Sequence, residues 1–275
     1  MNLKIQYNGG IASDGMLDFY DGSTSIQGFS QSLSIATHAF INSDHIKKAP
    51  ALKGAQIYLK AARRGSFISD IAILMEQNPA ITGAIVGYSA NIFYDFIKVL
   101  YRKVTGVFSD SDVDTKSVQK ALKKEEPFFD EVAENMEGSL QRAHRPIGDG
   151  VETISIGRPR SRLILLDLDT KSWVETRDET PEIDDLTGNV TRYNAITRNG
   201  RVYVDQLGRI VPFRVGTSYP FNRVGVLTWS LHGSNSGQLG TKQLPKKISF
   251  SANQILSSSE KVKRLILTDA LPAEN

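Results

Sequence analysis

Three charged side chains, spaced as a metal site could require, follow the apolar run Leu163–Leu166. Asp167 and Asp169 lie two residues apart, and Lys171 lies two residues further on. With Asp149, these carboxylates could bind Mg²⁺ on adjacent strands while the lysine orients a water molecule. A metal-dependent nuclease that uses Asp167, Asp169 and Lys171 is therefore one hypothesis. The alternative is that these residues only form a solvent-exposed strand end that leads into a turn.

The other reactive side chains form no comparable pattern. Cysteine is absent, which excludes a disulfide framework, a cysteine nucleophile and a thiolate zinc site. The histidines at positions 38, 45, 144 and 232 lack metal-site spacing, and no nucleophile elbow, phosphate loop or dinucleotide motif is present. Asp167 and Asp169 also resemble the nucleophile motif of haloacid-dehalogenase-like phosphatases, but Lys171 stands where that motif has threonine. We expect no metal, no cofactor, and a binding protein rather than an enzyme.

The strongest physical signal is a basic stretch in the second half. Residues 188–264 contain 12 Lys and Arg against 2 Asp and Glu, and the arginines are interleaved with aromatic residues. Such a stretch attracts nucleic acid or an acidic protein, unless it docks on the acidic loop at 175–185. Small barrels bind single strands by stacking bases on aromatic rings while cations follow the phosphates. The candidate nucleic-acid-binding residues are Arg192, Arg198, Arg201, Tyr203, Arg209 and Arg214.

The first half has the patterns of a small sheet with packed helices. Apolar and polar residues alternate in the strands predicted at 3–7 and 16–20, and the period becomes helical from Ser25 to Asn42. A hairpin is predicted from strands 55–61 and 66–74 with a turn at 63–65. An apolar helix follows at 80–104, then a polar loop at 108–115 and a helical region at 116–145, interrupted near Pro127.

The second half has a period of two and frequent turn signals. Strands are predicted at 162–168, 172–176, 190–197, 201–205, 209–215, 224–231, 247–250 and 262–268. Asn199-Gly200 is the strongest hairpin signal among them. The fold class is therefore α+β: a small antiparallel sheet with helices, a helical connector, and a β-rich, barrel-like domain. The predicted boundaries are 1–110, 111–148 and 149–275.

Helix 80–104 could serve as an interface between subunits. Its apolar residues cover more than a narrow stripe, which suits self-association or a central place in the first domain. A membrane-associated effector that inserts residues 80–100 is a further alternative, but Asn91, Asp95 and Lys98 interrupt the span and argue against it. Since residues 1–7 are too short and polar for a signal peptide, we expect a cytoplasmic protein.

Several segments together resemble an uncharacterised bacterial family of two consecutive domains of unknown function. In the second half these segments are 139–148, 188–194, 200–203 and 207–213; in the first half they are 17–22 and 64–67. The resemblance covers nearly the whole chain. It implies a link to phage defence or mobile elements, and it carries over no catalytic residues.

The function predicted from these observations is non-enzymatic binding and assembly. The apolar helix would give a homo-oligomer or bind a partner protein, and the basic domain would engage an anionic partner, either nucleic acid or an acidic protein. A bacterial defence system is the setting that the resemblance implies.

Overall fold

In a computed structural model, the chain divides into two compact units, Met1–Glu175 and Thr176–Asn275. The structure describes residues 1–44, 46–60, 67–75, 90–175, 179–238, 246–257 and 260–273. The helical segment 111–148 and the two strands after it lie in the first unit. That unit is thus larger than the α+β domain predicted for residues 1–110, and the barrel begins later than residue 149.

Helices and strands alternate irregularly along the chain. In order they are β1 (Asn2–Asn8), α1 (Phe19–Asn42), β2 (Ala55–Leu59), β3 (Ile68–Met75), α2 (Ala90–Val104), α3 (Lys116–Ala143), β4 (Thr153–Arg158), β5 (Ser161–Leu166), α4 (Leu168–Val174), β6 (Ile183–Asn194), β7 (Asn199–Val204), β8 (Arg209–Val215), α5 (Val224–Gln238), β9 (Ile248–Leu256) and β10 (Val262–Pro272).

The first unit is built on an antiparallel sheet with the strand order β2-β3-β1-β4-β5. Along the central strand, Leu3, Ile5 and Tyr7 are buried and alternate with more exposed Lys4 and Gln6. Since successive side chains of a strand point to opposite faces, one face of the sheet carries the core. Residues of α1, α2 and α3 complete that core. The predicted α+β class with an antiparallel N-terminal sheet is confirmed.

Helix α2 belongs to this core. Phe93, Ile97 and Leu100 are buried, and the charged Asp95 is buried too. The Asp95 carboxylate accepts hydrogen bonds from the Thr115 backbone N–H and hydroxyl, both at 2.8 Å. A buried carboxylate needs such partners, so the charge in this apolar helix anchors the start of α3. The predicted residues 80–89 and the turn at 63–65 lie outside the described residues.

Two predictions for the first unit were wrong. Residues 16–20 form no strand, because Asp18 caps helix α1: its side chain accepts from the Asp21 N–H at 2.9 Å. Residues 172–176 were predicted as a strand, but helix α4 runs through Val174. The break near Pro127 is confirmed as a kink inside α3, with non-helical backbone at Glu125.

The second unit is a closed five-stranded barrel with the order β10-β8-β7-β6-β9. All neighbouring strands are antiparallel except β8 and β10, which are parallel. Inward residues such as Val202, Val211 and Leu265 form its core. Residues 224–231, predicted as a strand, lie in helix α5 instead. Leu227 and Ser230 are buried there three residues apart, which is a helical period.

No helix within the described residues is both long and apolar enough to cross a membrane.

Candidate functional site

The barrel has the strand order of the OB-fold, a five-stranded Greek-key barrel. Its first three strands, β6, β7 and β8, form a meander; helix α5 connects the third strand to the fourth; and the fifth strand pairs in parallel with the third. Barrels of this kind bind oligonucleotides or oligosaccharides on the outer face of their second and third strands. In this chain those strands are β7 and β8.

The outer face of β6, β7 and β8 carries arginine and exposed apolar side chains in rows. Arg192 on β6 lies opposite Arg201 on β7, and Tyr203 on β7 lies opposite Ile210 on β8. Tyr203 is 38% exposed and Ile210 is 44% exposed, whereas their inward neighbours are buried. Arg214 on β8 is also exposed. We call Arg192, Arg201, Tyr203, Ile210 and Arg214 the basic–aromatic face.

Two further predicted residues lie near the ends of this face. Arg198 closes the turn between β6 and β7 in a left-handed conformation, with φ 61°, and its N–H donates to Asn194 at 2.8 Å. Arg209 begins β8 and donates to the Val262 carbonyl. Burial lowers the pKa of the Arg209 guanidinium, and the positive charge of Arg201 lowers it further.

The predicted hairpin is present, but Asn199-Gly200 is not its turn. Asn199 and Gly200 begin β7, and residues 195–198 make the turn. A Cβ at Gly200 would lie 2.5 Å from the Phe213 ring, so the glycine is needed for packing. Tyr193 stacks on Phe213 with ring centroids 6.0 Å apart. Tyr193 is thus part of the inner packing, not of the outer face.

Some of the basic stretch is neutralised within the barrel. Arg223 forms an ion pair with Asp269, and Lys247 forms one with Asp205 at 2.9 Å. The acidic segment around the start of β6 contacts the neighbouring strand β9: the Asp184 carboxylate on β6 accepts from the Ser251 hydroxyl at 2.6 Å, and the Thr180 hydroxyl accepts from the Gln254 N–H at 2.9 Å. The net positive charge predicted from sequence therefore overstates the charge that faces outward.

In the first unit, the Asp167 side chain caps the start of helix α4. Its carboxylate accepts from the Thr170 N–H at 2.9 Å, and the Thr170 hydroxyl accepts from the Asp167 N–H at 2.8 Å, which is a capping box at the start of α4. Asp169 lies in the first turn of the same helix, and the Lys171 ammonium donates to the Ile147 carbonyl at 2.7 Å. Within the described residues, no group of three or more histidine and acidic side chains could hold a metal ion.

The capping role predicts how Asp167 variants behave. Asp167→Ala should lower the free energy of unfolding by about 1 kcal/mol, because an N-cap acceptor is lost. Asp167→Ser should leave it nearly unchanged, since a serine hydroxyl also caps. Urea unfolding measures both variants. Equal losses in the alanine and serine variants would contradict the capping role.

His144 is a buried, neutral side chain between two helices. Its Nδ1 donates to the Leu140 carbonyl at 2.6 Å, so Nε2 is left to accept from the Thr170 hydroxyl at 3.1 Å. Burial lowers the pKa of His144 from 6.5 to about 4. The histidine joins the end of α3 to the cap of α4, so its role is structural.

Acid should destabilise the first unit through His144. Between pH 6.5 and about 4 the unfolded histidine binds a proton that the folded one does not. The contribution of neutral His144 to the free energy of unfolding is therefore fully present above pH 6.5. It is lost as the pH falls to about 4, a loss of about 3 kcal/mol. Unfolding free energies of the wild type and of His144→Gln, measured from pH 7 to pH 4, give this contribution as their difference. The other histidines are the same in both proteins, so their titration cancels in this difference. A difference that does not change with pH would refute the role of His144.

Sequence reasoning missed two groups of residues. Ile210 on the basic–aromatic face was not predicted, because single exposed aliphatic residues are common on protein surfaces and do not indicate a site. The second group lines a cavity in the first unit formed by α1, α3 and α4. Of the residues that line this cavity, Asp149 and Lys171 were named from the sequence, as part of the nuclease hypothesis.

Comparison with known proteins gives one family and no relative of known activity. The model of a family described as a domain of unknown function, DUF7946, matches residues 3–175. No curated protein and no solved structure matches the chain.

Proposed function

The chain belongs to the DUF7946 family of unknown function through residues 3–175, and we propose that it binds single-stranded nucleic acid through its barrel. The observation that carries this proposal is the basic–aromatic face. It lies on the strands that barrels of this order use for ligands, and it combines cations with an exposed ring. The nucleic acid, and not an acidic protein, is the partner proposed.

The spacing of the face suits a strand of nucleotides. Arg192 and Arg201 are paired across β6 and β7, while Tyr203 lies two residues beyond Arg201 on the same side of β7. Two residues along a strand span about 6.5 Å, so Tyr203 lies about that far from Arg201 along β7. Arg192 and Arg201 can therefore contact phosphates while Tyr203 and Ile210 contact bases.

The aromatic component favours a single strand over a duplex. A base can stack on Tyr203 only when its face is free, and base–aromatic stacking contributes about 1–3 kcal/mol per base. An acidic polypeptide would gain the ion pairs but not the stacking.

Fluorescence anisotropy with the full-length protein tests the proposal. Labelled single-stranded and double-stranded DNA and RNA of equal length are titrated at low salt, with poly-glutamate as a competitor. We expect single strands to bind about tenfold more tightly than duplexes, and poly-glutamate to compete weakly. Equal affinity for duplexes, stronger binding of poly-glutamate, or no binding at all would each overturn the proposal.

The cellular role and the oligomeric state are also proposals. Because the family match ends at residue 175, the barrel lies outside it. A bacterial defence role and assembly into a homo-oligomer stay predictions. Phage plating on cells with and without the gene tests the first, and sedimentation of the purified protein tests the second.

A further inference from the structure

The first unit contains a charged cavity of about 400 Å³ that the barrel does not share. Its walls come from the first turns of α1, the end of α3, the loop that follows α3, and helix α4. Gly138 on α3 lies on the wall, and a Cβ there would meet nothing within 4 Å. This volume is in the range that encloses small organic ligands.

The inner wall is positively charged. The Lys171 ammonium is held by the Ile147 carbonyl at 2.7 Å, and the Arg142 guanidinium donates to the Gln31 side chain. Both acceptors are neutral, so neither cation is compensated by them. The Nε of Arg142 is buried and donates to no described residue. A buried donor of this kind favours an acceptor from a ligand.

The outer rim is negatively charged. Asp149 and Glu175 line the cavity and are exposed. A third carboxylate, Asp21, is already neutralised, because Arg145 donates to it at 2.5 Å and also lies over the Tyr20 ring. Apart from the pair of Arg145 with Asp21, the charges run from positive inside to negative at the mouth, where Asp149 also lies near enough to Arg145 to raise the pKa of that guanidinium.

We propose that this cavity binds a small zwitterion with a carboxylate and an ammonium group. The carboxylate accepts from Arg142 and Lys171, and the ammonium group faces Asp149 and Glu175. A simple anion such as phosphate is disfavoured, because the two carboxylates at the mouth repel it and it has no ammonium group to pair with them. This site is independent of the nucleic-acid proposal and uses none of its residues.

Calorimetry on the full-length protein tests the site with defined probes. The zwitterions are glycine, γ-aminobutyrate and ε-aminocaproate, which separate the two charges by increasing lengths. Butyrate and butylamine are the single-charge controls, and inorganic phosphate is the anion control. We expect at least one zwitterion to bind more tightly than every control.

Three variants locate the binding. Lys171→Met and Glu175→Gln should each raise the dissociation constant about tenfold or more, because each removes one charge-assisted contact. Gly138→Leu fills the cavity from an open helix position and should abolish binding while the protein stays folded. Tighter binding of phosphate, no zwitterion binding, or zwitterion binding unchanged in folded Gly138→Leu would overturn the proposal.

Discussion

The double variant Arg201→Glu/Arg214→Glu should lose about 100-fold in affinity for single-stranded nucleic acid. Both arginines lie on the outer face of neighbouring strands, where reversal replaces attraction of phosphate by repulsion. A loss of about 1.4 kcal/mol at each position gives this factor. Adding Tyr203→Ala should cost roughly another tenfold, because a stacked base is lost. Anisotropy at low salt measures both.

The matched control for this variant is Lys120→Glu/Lys124→Glu. It makes the same change in net charge on exposed positions of α3, in the other unit. Its affinity should remain within about twofold of the wild type, since neither lysine belongs to the basic–aromatic face. If both double variants weaken binding equally, overall charge and not the basic–aromatic face is responsible.

Gly28→Ala should destabilise the first unit by about 3 kcal/mol. Gly28 lies on α1 where it crosses α3, and an added Cβ would lie 2.5 Å from the Ala143 nitrogen and 2.5 Å from the Ser139 carbonyl oxygen. Those are backbone atoms of a helix, so the whole helix must shift to admit one methyl group. The urea midpoint of the first unit's unfolding transition measures the loss.

Gly138→Ala is the matched control, since it makes the same change in the other helix of the pair. Its Cβ would meet nothing, and alanine is about 1 kcal/mol better than glycine inside a helix. The variant should therefore be as stable as the wild type or slightly more stable. Loss of stability in Gly138→Ala, or none in Gly28→Ala, would show that the close helix contact is not decisive.

The sequence was most informative where a period was long and uninterrupted. The end of α1 at Asn42, the kinked α3 and the strand Arg209–Val215 are observed as predicted. It failed for three segments of five to eight residues, where the competing local signals are of similar strength: 16–20, 172–176 and 224–231. Val224–Leu231 has the β-branched residues of a strand, yet burial of Leu227 and Ser230 favours a helix. The Ser230 hydroxyl accepts from the Val190 N–H, a long-range contact with no local signature.

For the candidate site, alternation alone placed Arg201 and Tyr203 on one side of a strand, and the structure has them so. The cross-strand pairs Arg192 with Arg201 and Tyr203 with Ile210 depend on the register of the strands, which a single sequence does not specify. Alternation alone does not predict the direction of Tyr193. A bulge in β6 after Val190 turns this side chain towards Phe213, and bulges have no reliable sequence signal. The cavity could not be predicted, because three helices and a loop that are separate in the sequence form it.

The most direct test of the central claim is the salt dependence of single-strand binding, measured for the wild type and for Arg201→Glu/Arg214→Glu. If the three arginines of the basic–aromatic face neutralise phosphates, log K should fall with log salt with a slope of about −2 or steeper. The double variant should have a clearly shallower slope. A wild-type affinity that does not change with salt, or slopes that are equal in the two proteins, would contradict a nucleic-acid site on this face.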